Sequence, residues 1–494
     1  MNDPVIIEDI RPLIALLAPW VGMIGIIWAG EKRANLREMF TFIAASVQAA
    51  VVLSLVPIIL SGAVVEFHIW QIFSHVPMLL RVDGPGLLFA CVASVLWIAT
   101  TLYAVGYIRG LHEHAQTRCD SFFALSLSAT MGVAFSANLL TIYFFYEMLS
   151  VSTFPLVTHM QDKQARTGGR TYLGYLLFTS LCLLLPALSW CYVWLDGGNM
   201  TMDFMADVGK VVKFGETTQP VRLFLFTFGF AKAGLMPAHS WLPGAMVAPT
   251  PVSALLHAVA VVKVGVFCVY RVYADVFGPE VLAKMGGEEW AMVIASATII
   301  ISSLIALSQD NLKRRLAFST IGQLGYIVLG AAIATDRGQG GAVLHIAMHA
   351  CGKITLFFCA GAIFVASGKK YVSELRGIGR KMPLTMGAFM IGSLSVIGLP
   401  PLGGFISKWY LALGALDRDA MWVVVVLLIS SLLNVFYLLP VAVTAFFRTP
   451  ETEKDSSLKE APWPCVVPLL LTALGCFLLF FWSDTLLQMV GLQP

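Results

Sequence analysis

Five ionisable side chains stand deep inside the long apolar stretches of this sequence: Glu147, Lys232, Lys263, Lys353 and Lys408. Of its 32 lysines and arginines, 28 lie outside those stretches or at their very ends, and the four inside are all lysine. A cation at the centre of a bilayer is costly, so a chain that keeps one generally uses it on an ion or proton path. A buried ammonium can release its proton near neutral pH, whereas a guanidinium cannot. The residue type therefore points to protons.

A second set supports the same chemistry. His345, His349 and Lys353 are spaced four apart, which keeps them on one helix face within about 80° of rotation. Imidazole gives and accepts a proton near neutral pH, so the stripe reads as a relay. Hydrogen-bonded core histidines are the plain alternative, and axial haem ligation needs a facing histidine on a second helix. His257 precedes Lys263 by six residues, about 120° around the helix, where it either joins a hydrated lining or packs. His239 and Trp241 fall beside a proline-rich interruption and either shape it or carry protons. Tyr103, Tyr107, Tyr146 and Ser240 are candidates for ordering water, Asp310 reads as a loop charge, and Asp83 as a helix cap.

The elements that must position these groups are membrane spans. Hydrophobic residues make up 58% of the chain, charged residues 12%, and the mean hydropathy is +0.80, far from the quarter of charged residues typical of a soluble domain. A spanning helix needs about 20 mostly apolar residues. Fourteen candidates fit, near 13–29, 39–60, 85–107, 121–137, 139–159, 172–195, 221–246, 250–272, 289–307, 316–334, 341–366, 384–414, 421–446 and 463–483. The expected fold is an all-α polytopic membrane protein forming a single transmembrane domain over 1–494. At 1.5 Å per residue, Glu147, Lys232, Lys263 and Lys353 lie roughly 13 to 19 Å into their helices, near the midplane of a core about 30 Å thick.

The seventh and twelfth spans look broken, at Pro237 and Pro243 and at Gly398-Leu399-Pro400-Pro401. Proline removes a backbone donor, and irregular backbone at membrane depth is tolerated only where protein or a water-filled cavity surrounds it. Gly229-Phe230-Ala231-Lys232 is echoed by Gly404-Phe405-Ile406-Ser407-Lys408 five spans on. An odd number of crossings inverts the second copy, so the chain is expected to hold inverted five-helix repeats over 121–272 and 289–446. Glu147, advanced by the same offset, lands on Gln323.

Loops after odd-numbered spans hold 19 lysines and arginines, the remaining ends and loops nine. The positive-inside rule puts the odd loops in the cytoplasm and both termini on the other side. No cleavable signal peptide is expected. A net charge of +3 without a basic arm excludes nucleic acid as a partner. The nine cysteines contain no Cys-x-x-Cys pair, so no cofactor, cluster or metal is expected, and any redox chemistry belongs to a partner subunit.

Several segments carry a family resemblance: Phe144-Phe145-Tyr146-Glu147, Lys232 with Pro237-Ala238-His239-Ser240-Trp241-Leu242-Pro243, and Ala248-Pro249-Thr250-Pro251 running to His257 and Lys263. Asp310-Asn311-Leu312-Lys313-Arg314 and Gly398 through Lys408 complete the set. Over residues 80–450 the chain resembles the antiporter-like subunits shared by respiratory complex I, Mrp-type cation/proton antiporters and membrane-bound hydrogenases. The run from Ser150 to His159 is most similar to the D-type branch of the Mrp antiporters. The resemblance implies a Glu147–Lys232 pair, a central Lys263 and a terminal group at Lys408, where some members carry glutamate. It also implies a multisubunit complex in a bacterial or archaeal cell membrane, with protons, and sodium as a second candidate, as cargo. No lateral helix is expected beyond the fourteenth span. The resulting expectation is a route from Glu147 and Lys232 to Lys263, then through His345, His349 and Lys353 to Lys408. A hydrogenase or complex I-like parent is the alternative, and an independent solute symporter the rival.

Overall fold

The computed structural model describes residues 5–73, 76–194, 202–205, 219–285, 287–449 and 459–492. The long apolar stretches form helices: α1 (Arg11–Ala29), α2 (Ala34–Leu53), α3 (Gly84–Gly110), α4 (Gln116–Ala134), α5 (Leu139–Val157) and α6 (Lys163–Thr179). The broken region supplies α7 (Gln219–Gly229), α8 (Thr250–Ala258) and α9 (Val261–Arg271). There follow α10 (Gly287–Ser308), α11 (Leu312–Ile333), α12 (Asp336–Ser367), α13 (Pro383–Ile397), α14 (Gly403–Asp417), α15 (Met421–Phe447) and α16 (Trp463–Phe481). Side-chain oxygens start many of them. Asp83 accepts from Gly86 N (2.9 Å), Asn138 from Thr141 N (2.9 Å), Asp162 from Ala165 N (2.6 Å) and Asn311 from Arg314 N (3.1 Å), each satisfying a donor that the first helical turn leaves unpaired. Asp83 is thus a cap, and Asp310, which accepts from Ser373 N and Oγ (3.0 and 2.8 Å), ties two loops together.

Among the described residues ten helices are long and apolar enough to cross a membrane. The other expected spans are the less apolar α4 and the three interrupted ones. Burial ranks the helices. The apolar window of α11 is wholly buried and that of α12 is 78% buried, against 33% for α2 and α15. The first two therefore form the centre of the bundle, and the others wrap it.

The interruptions are real, and there is one more than the sequence suggested. After α7 the chain makes a tight 3₁₀ turn at Ala231–Ala233, turns at Gly234 (φ +68°) and resumes as a short helix, Trp241–Gly244, that contains Pro243. Between α13 and α14, Gly398 takes φ +92° ahead of Pro400 and Pro401, a backbone region open mainly to glycine. The unforeseen break separates α8 from α9 at Val259 and Ala260 (φ −97°, ψ −83°), three residues before Lys263. No proline marks it, because the local sequence is helix-compatible and the neighbouring turn shapes it. A Cβ on Gly265 in α9 would lie 2.2 Å from Lys232 C and Ala233 N, so the two broken segments meet backbone to backbone.

A small sheet accompanies the helices. Strands β1 (Ile6–Glu8), β2 (Val64–Phe73) and β3 (Val76–Val82) run in that order, β1 parallel and β3 antiparallel to β2. Arg81 on β3 contacts Glu66 Oε1 on the neighbouring strand and Asp203 Oδ1 of the 202–205 segment, both at 2.6 Å. Burial alone would lower the Arg81 pKa, but those carboxylates outweigh it and raise the value. Arg271, the last residue of α9, reaches Asp83 (2.5 Å) and Asp275 (2.8 Å). With Arg37 and Arg222 it is buried, at 3%, 1% and 0% exposure. These guanidiniums at helix ends are thus also enclosed, each near a polar or aromatic partner.

Gly265→Ala is expected to destabilise the protein by about 1–3 kcal/mol through overpacking. A lowered thermal unfolding midpoint in detergent checks this, with Gly387→Ala inside α13, whose Cβ meets nothing within 4 Å, not lowering the midpoint.

Candidate functional site

All four lysines are enclosed: Lys232, Lys263 and Lys353 have 0% exposure and Lys408 9%. An enclosed amine needs acceptors in place of water, and the fold brings them from distant segments.

Lys232 sits in the 3₁₀ turn after α7. Its Nζ donates to Tyr146 O (2.7 Å) and Ser150 Oγ (2.6 Å) on α5 and lies over the Tyr146 ring, 3.1 Å from its centroid. Tyr146 and Ser150 are one helical turn apart and share a face. Glu147, one residue on, points about 100° away. Glu147 lines an apolar lateral groove of about 590 Å³ with Trp20, Phe122, Leu140, Tyr143 and Phe144, and its buried Oε1 has no hydrogen-bond partner. Among the described residues Glu147 and Lys232 form no direct ion pair, in contrast to the pairing implied by the resemblance, because helical phase turns them apart. Trp241 Nε1 donates to Ala231 O (3.0 Å) and pins the turn. Its role is therefore to shape the break.

Lys263 emerges just after the α8–α9 break, its Nζ 2.6 Å from His349 Nδ1. The His349 and His345 rings stack at 5.7 Å with 13° between their planes. His345 is held at both nitrogens, by Ser407 Oγ on α14 (2.8 Å) and Gln323 Oε1 on α11 (3.1 Å). The Tyr326 ring stacks on His345 at 5.3 Å, and Lys408 Nζ lies 4.9 Å from the centroid of that same ring. Lys408 Nζ donates to Val396 O (3.0 Å), Ile397 O (2.9 Å) and Ser431 Oγ (3.1 Å). Val396 and Ile397 end α13, so the break at Gly398 to Pro401 exposes helix-terminal carbonyls, whose partial negative charge suits a cation.

Lys353 leaves this line. Its Nζ donates to Ser319 Oγ (2.5 Å) on α11, and Ser319 is 2.7 Å from Tyr437 Oη, which in turn bonds Asn434 Oδ1. Arg315, in the basic loop region, donates to Tyr437 O (3.1 Å). His345 reaches toward Lys408 through Ser407 and the shared Tyr326 ring, whereas Lys353 bonds Ser319 and acts on Lys408 only through space. The order along α12 did not reveal this because Lys353 is two turns from His345 and meets α11 at a different level.

The side chain of His257 lies outside the described residues, although α8 carries its backbone. His239 borders Phe318, and its buried Nδ1 has no partner. Tyr103 Oη donates to Phe358 O (2.9 Å), a packing role. On the face bearing the basic loops, a cavity of about 750 Å³ opens between Tyr107, Glu113, Asp162, Ser240, Lys313 and Lys370. The residues to which the sequence assigned no part in the site are Ser150, Ser319, Ser407, Ser431, Gln323, Tyr326, Tyr437 and Asn434, although Ser150, Ser407 and Gln323 stood out in motifs or in the repeat. Most are hydroxyls, common enough in spanning helices to carry no signal until their partners are seen.

The fold and this buried row define a polytopic membrane protein that encloses lysines and histidines between interrupted helices. Residues 136–434 match the family described as NADH:quinone oxidoreductase/Mrp antiporter, TM, and the chain belongs to that family. It is 32% identical over 414 residues to NADH-quinone oxidoreductase subunit N of Desulforudis audaxviator (strain MP104C), covering 80% of each chain. It is 28% identical over 433 residues to hydrogenase-4 component B of Escherichia coli (strain K12), covering 82% of this chain and 63% of that protein. With Na(+)/H(+) antiporter subunit A1 of Staphylococcus haemolyticus (strain JCSC1435) it shares 28% identity over 438 residues, 81% of this chain and 52% of the relative. The fold is that of a chain of the Mrp complex from Dietzia sp. DQ12-45-1b (TM-score 0.85, 21% identity, 98% and 96% covered). The archaeal membrane-bound sulfane sulfur reductase has a similar chain (TM-score 0.83, 22% identity, 98% and 96% covered).

His349→Leu strips Lys263 of its acceptor and is expected to destabilise the protein by about 1–3 kcal/mol. The double variant with Lys263→Met should recover most of that loss, since both polar groups are then gone. Non-additive unfolding midpoints are the check, and strict additivity would rule the contact out.

Proposed function

We propose that this chain is a proton-translocating antiporter-like subunit of a multisubunit membrane complex, and that its buried row is the proton route. The observation that carries the reading is the near-continuous series from Lys263 through His349, His345 and Ser407 to Lys408, set between two broken spans. Lys232 and Glu147 form the other end. Lys353, with Ser319 and Tyr437, is a side branch toward the basic loops, and His257 a lining group of the first half. We place the odd-numbered loops in the cytoplasm and both termini outside, with fourteen spans, and read 121–272 and 289–446 as inverted repeats.

Each proton transfer changes the charge felt by the next site, so neutralising one lysine favours protonation of its neighbour. Energy comes from outside the chain, from an opposing ion gradient or a redox partner. A cation/proton antiporter of the Mrp kind, with this chain as its D-type component, is the first reading. Sodium is a candidate counter-ion. A complex I-like or hydrogenase parent is favoured instead by the 32% identity to an NADH-quinone oxidoreductase component over 80% of both chains. Proteins copurifying with the tagged chain, identified by mass spectrometry, decide between the two.

Lys263→Ala in the intact complex, reconstituted into vesicles, is expected to slow coupled proton movement by roughly 10²-fold, the scale of losing a positioned acid–base group. Tyr437→Phe should slow it less, since it interrupts only the branch. Undiminished transport by Lys263→Ala would overturn the proposed route.

A further inference from the structure

Two connections on the basic face approach each other away from the lysine row. The α3–α4 connection brings Glu113 and His114, and the α5–α6 connection brings His159. One potential ligand atom from each lies within 4.8 Å of the others. The His114 and His159 rings stack at 5.1 Å with 28° between their planes. His159 is 2% exposed, yet its Nδ1 has no hydrogen-bond partner, an arrangement that is costly for a nitrogen removed from water. Glu113 also lines the cavity of about 750 Å³ on this face.

We propose that Glu113, His114 and His159 form a binding site for a divalent transition-metal ion of the zinc class at the rim of this cavity. Two imidazoles and one carboxylate are a nitrogen-rich donor set that suits zinc and disfavours magnesium and calcium, which take oxygen ligands. Bonds of about 2.0–2.1 Å in a tetrahedral site put donors about 3.4 Å apart, so the three atoms must close by little more than an ångström. His114 can supply that movement: it is exposed and sits in a short connection between His112 (φ +53°) and Ala115 (φ +50°). The opposite side is fixed, because Arg118 donates to His159 O (3.0 Å) and Asp162 caps α6. Arg118 places a positive charge beside the site and the Glu113 carboxylate offsets it, while a water completes the coordination. A bound ion would cross-link the α3–α4 and α5–α6 connections where the cavity opens. Nothing in the sequence indicated this, since 45 positions separate the two histidines.

The test uses the tag-free full-length protein in detergent, in a Cys182→Ser background because that thiol is exposed. Zn²⁺ titration by calorimetry, with metal content measured after dialysis, should show one ion per chain. His114→Ala and Glu113→Gln, both near the surface, should each weaken binding by roughly tenfold or more, a loss at least as large as removal of an outer partner of a metal ligand causes. His112→Ala should leave binding unchanged. His159→Gln is scored only if its elution profile in gel filtration matches the parent, and should then abolish binding. Absence of one-to-one binding, undiminished affinity in His114→Ala, or an equal loss in His112→Ala would each overturn the assignment.

Discussion

An amine enclosed at membrane depth must find oxygen or nitrogen acceptors inside the protein, and this requirement organises the bundle. A continuous helix spends its carbonyls on itself. A broken one releases those at its ends, and Lys408 takes the last two of α13. Lys232 occupies the tight turn after α7, where its side chain can reach across to α5. Lys263 follows the α8–α9 break and finds an imidazole in place of a carbonyl. Three of the four lysines are thus tied to an interruption, and the interruptions survive because α11 and α12 bury them from lipid.

The same requirement explains why hydroxyls recur along the row. A serine accepts from an ammonium and can donate to the next group, so it serves a lysine in either protonation state. Ser150, Ser319 and Ser431 each touch one lysine, and Ser407 touches a histidine. An ionised carboxylate can only accept, and would bind the charged form tightly enough to hold the proton in place. Turning Glu147 away from Lys232 leaves a charge that acts at a distance without a direct contact.

The bundle also carries a second layer of charge, separate from the row. Arginines at the helix ends and on β3 pair with Asp83, Asp120, Asp203 and Asp275. Guanidiniums keep their charge at any physiological pH, so these pairs fix loops and strands without exchanging protons. Lysine on the row and arginine at the ends is a division of labour by side-chain chemistry.

The helical character, the membrane setting and the two proline-marked breaks were all legible in the sequence. Each follows from hydrophobicity and proline chemistry. The α8–α9 break, the small sheet and the pairing of the connections at Glu113, His114 and His159 were not, because their causes lie in contacts between distant segments. Axial position is a property of one helix and is written in residue number. The direction a side chain faces, and which helix meets it, depend on how all the helices pack. That is why the sequence by itself determined which residues lie deep inside the apolar stretches, while only the tertiary structure decided that Lys263 meets His349, that His345 leads toward Lys408, and that Glu147 turns away from Lys232.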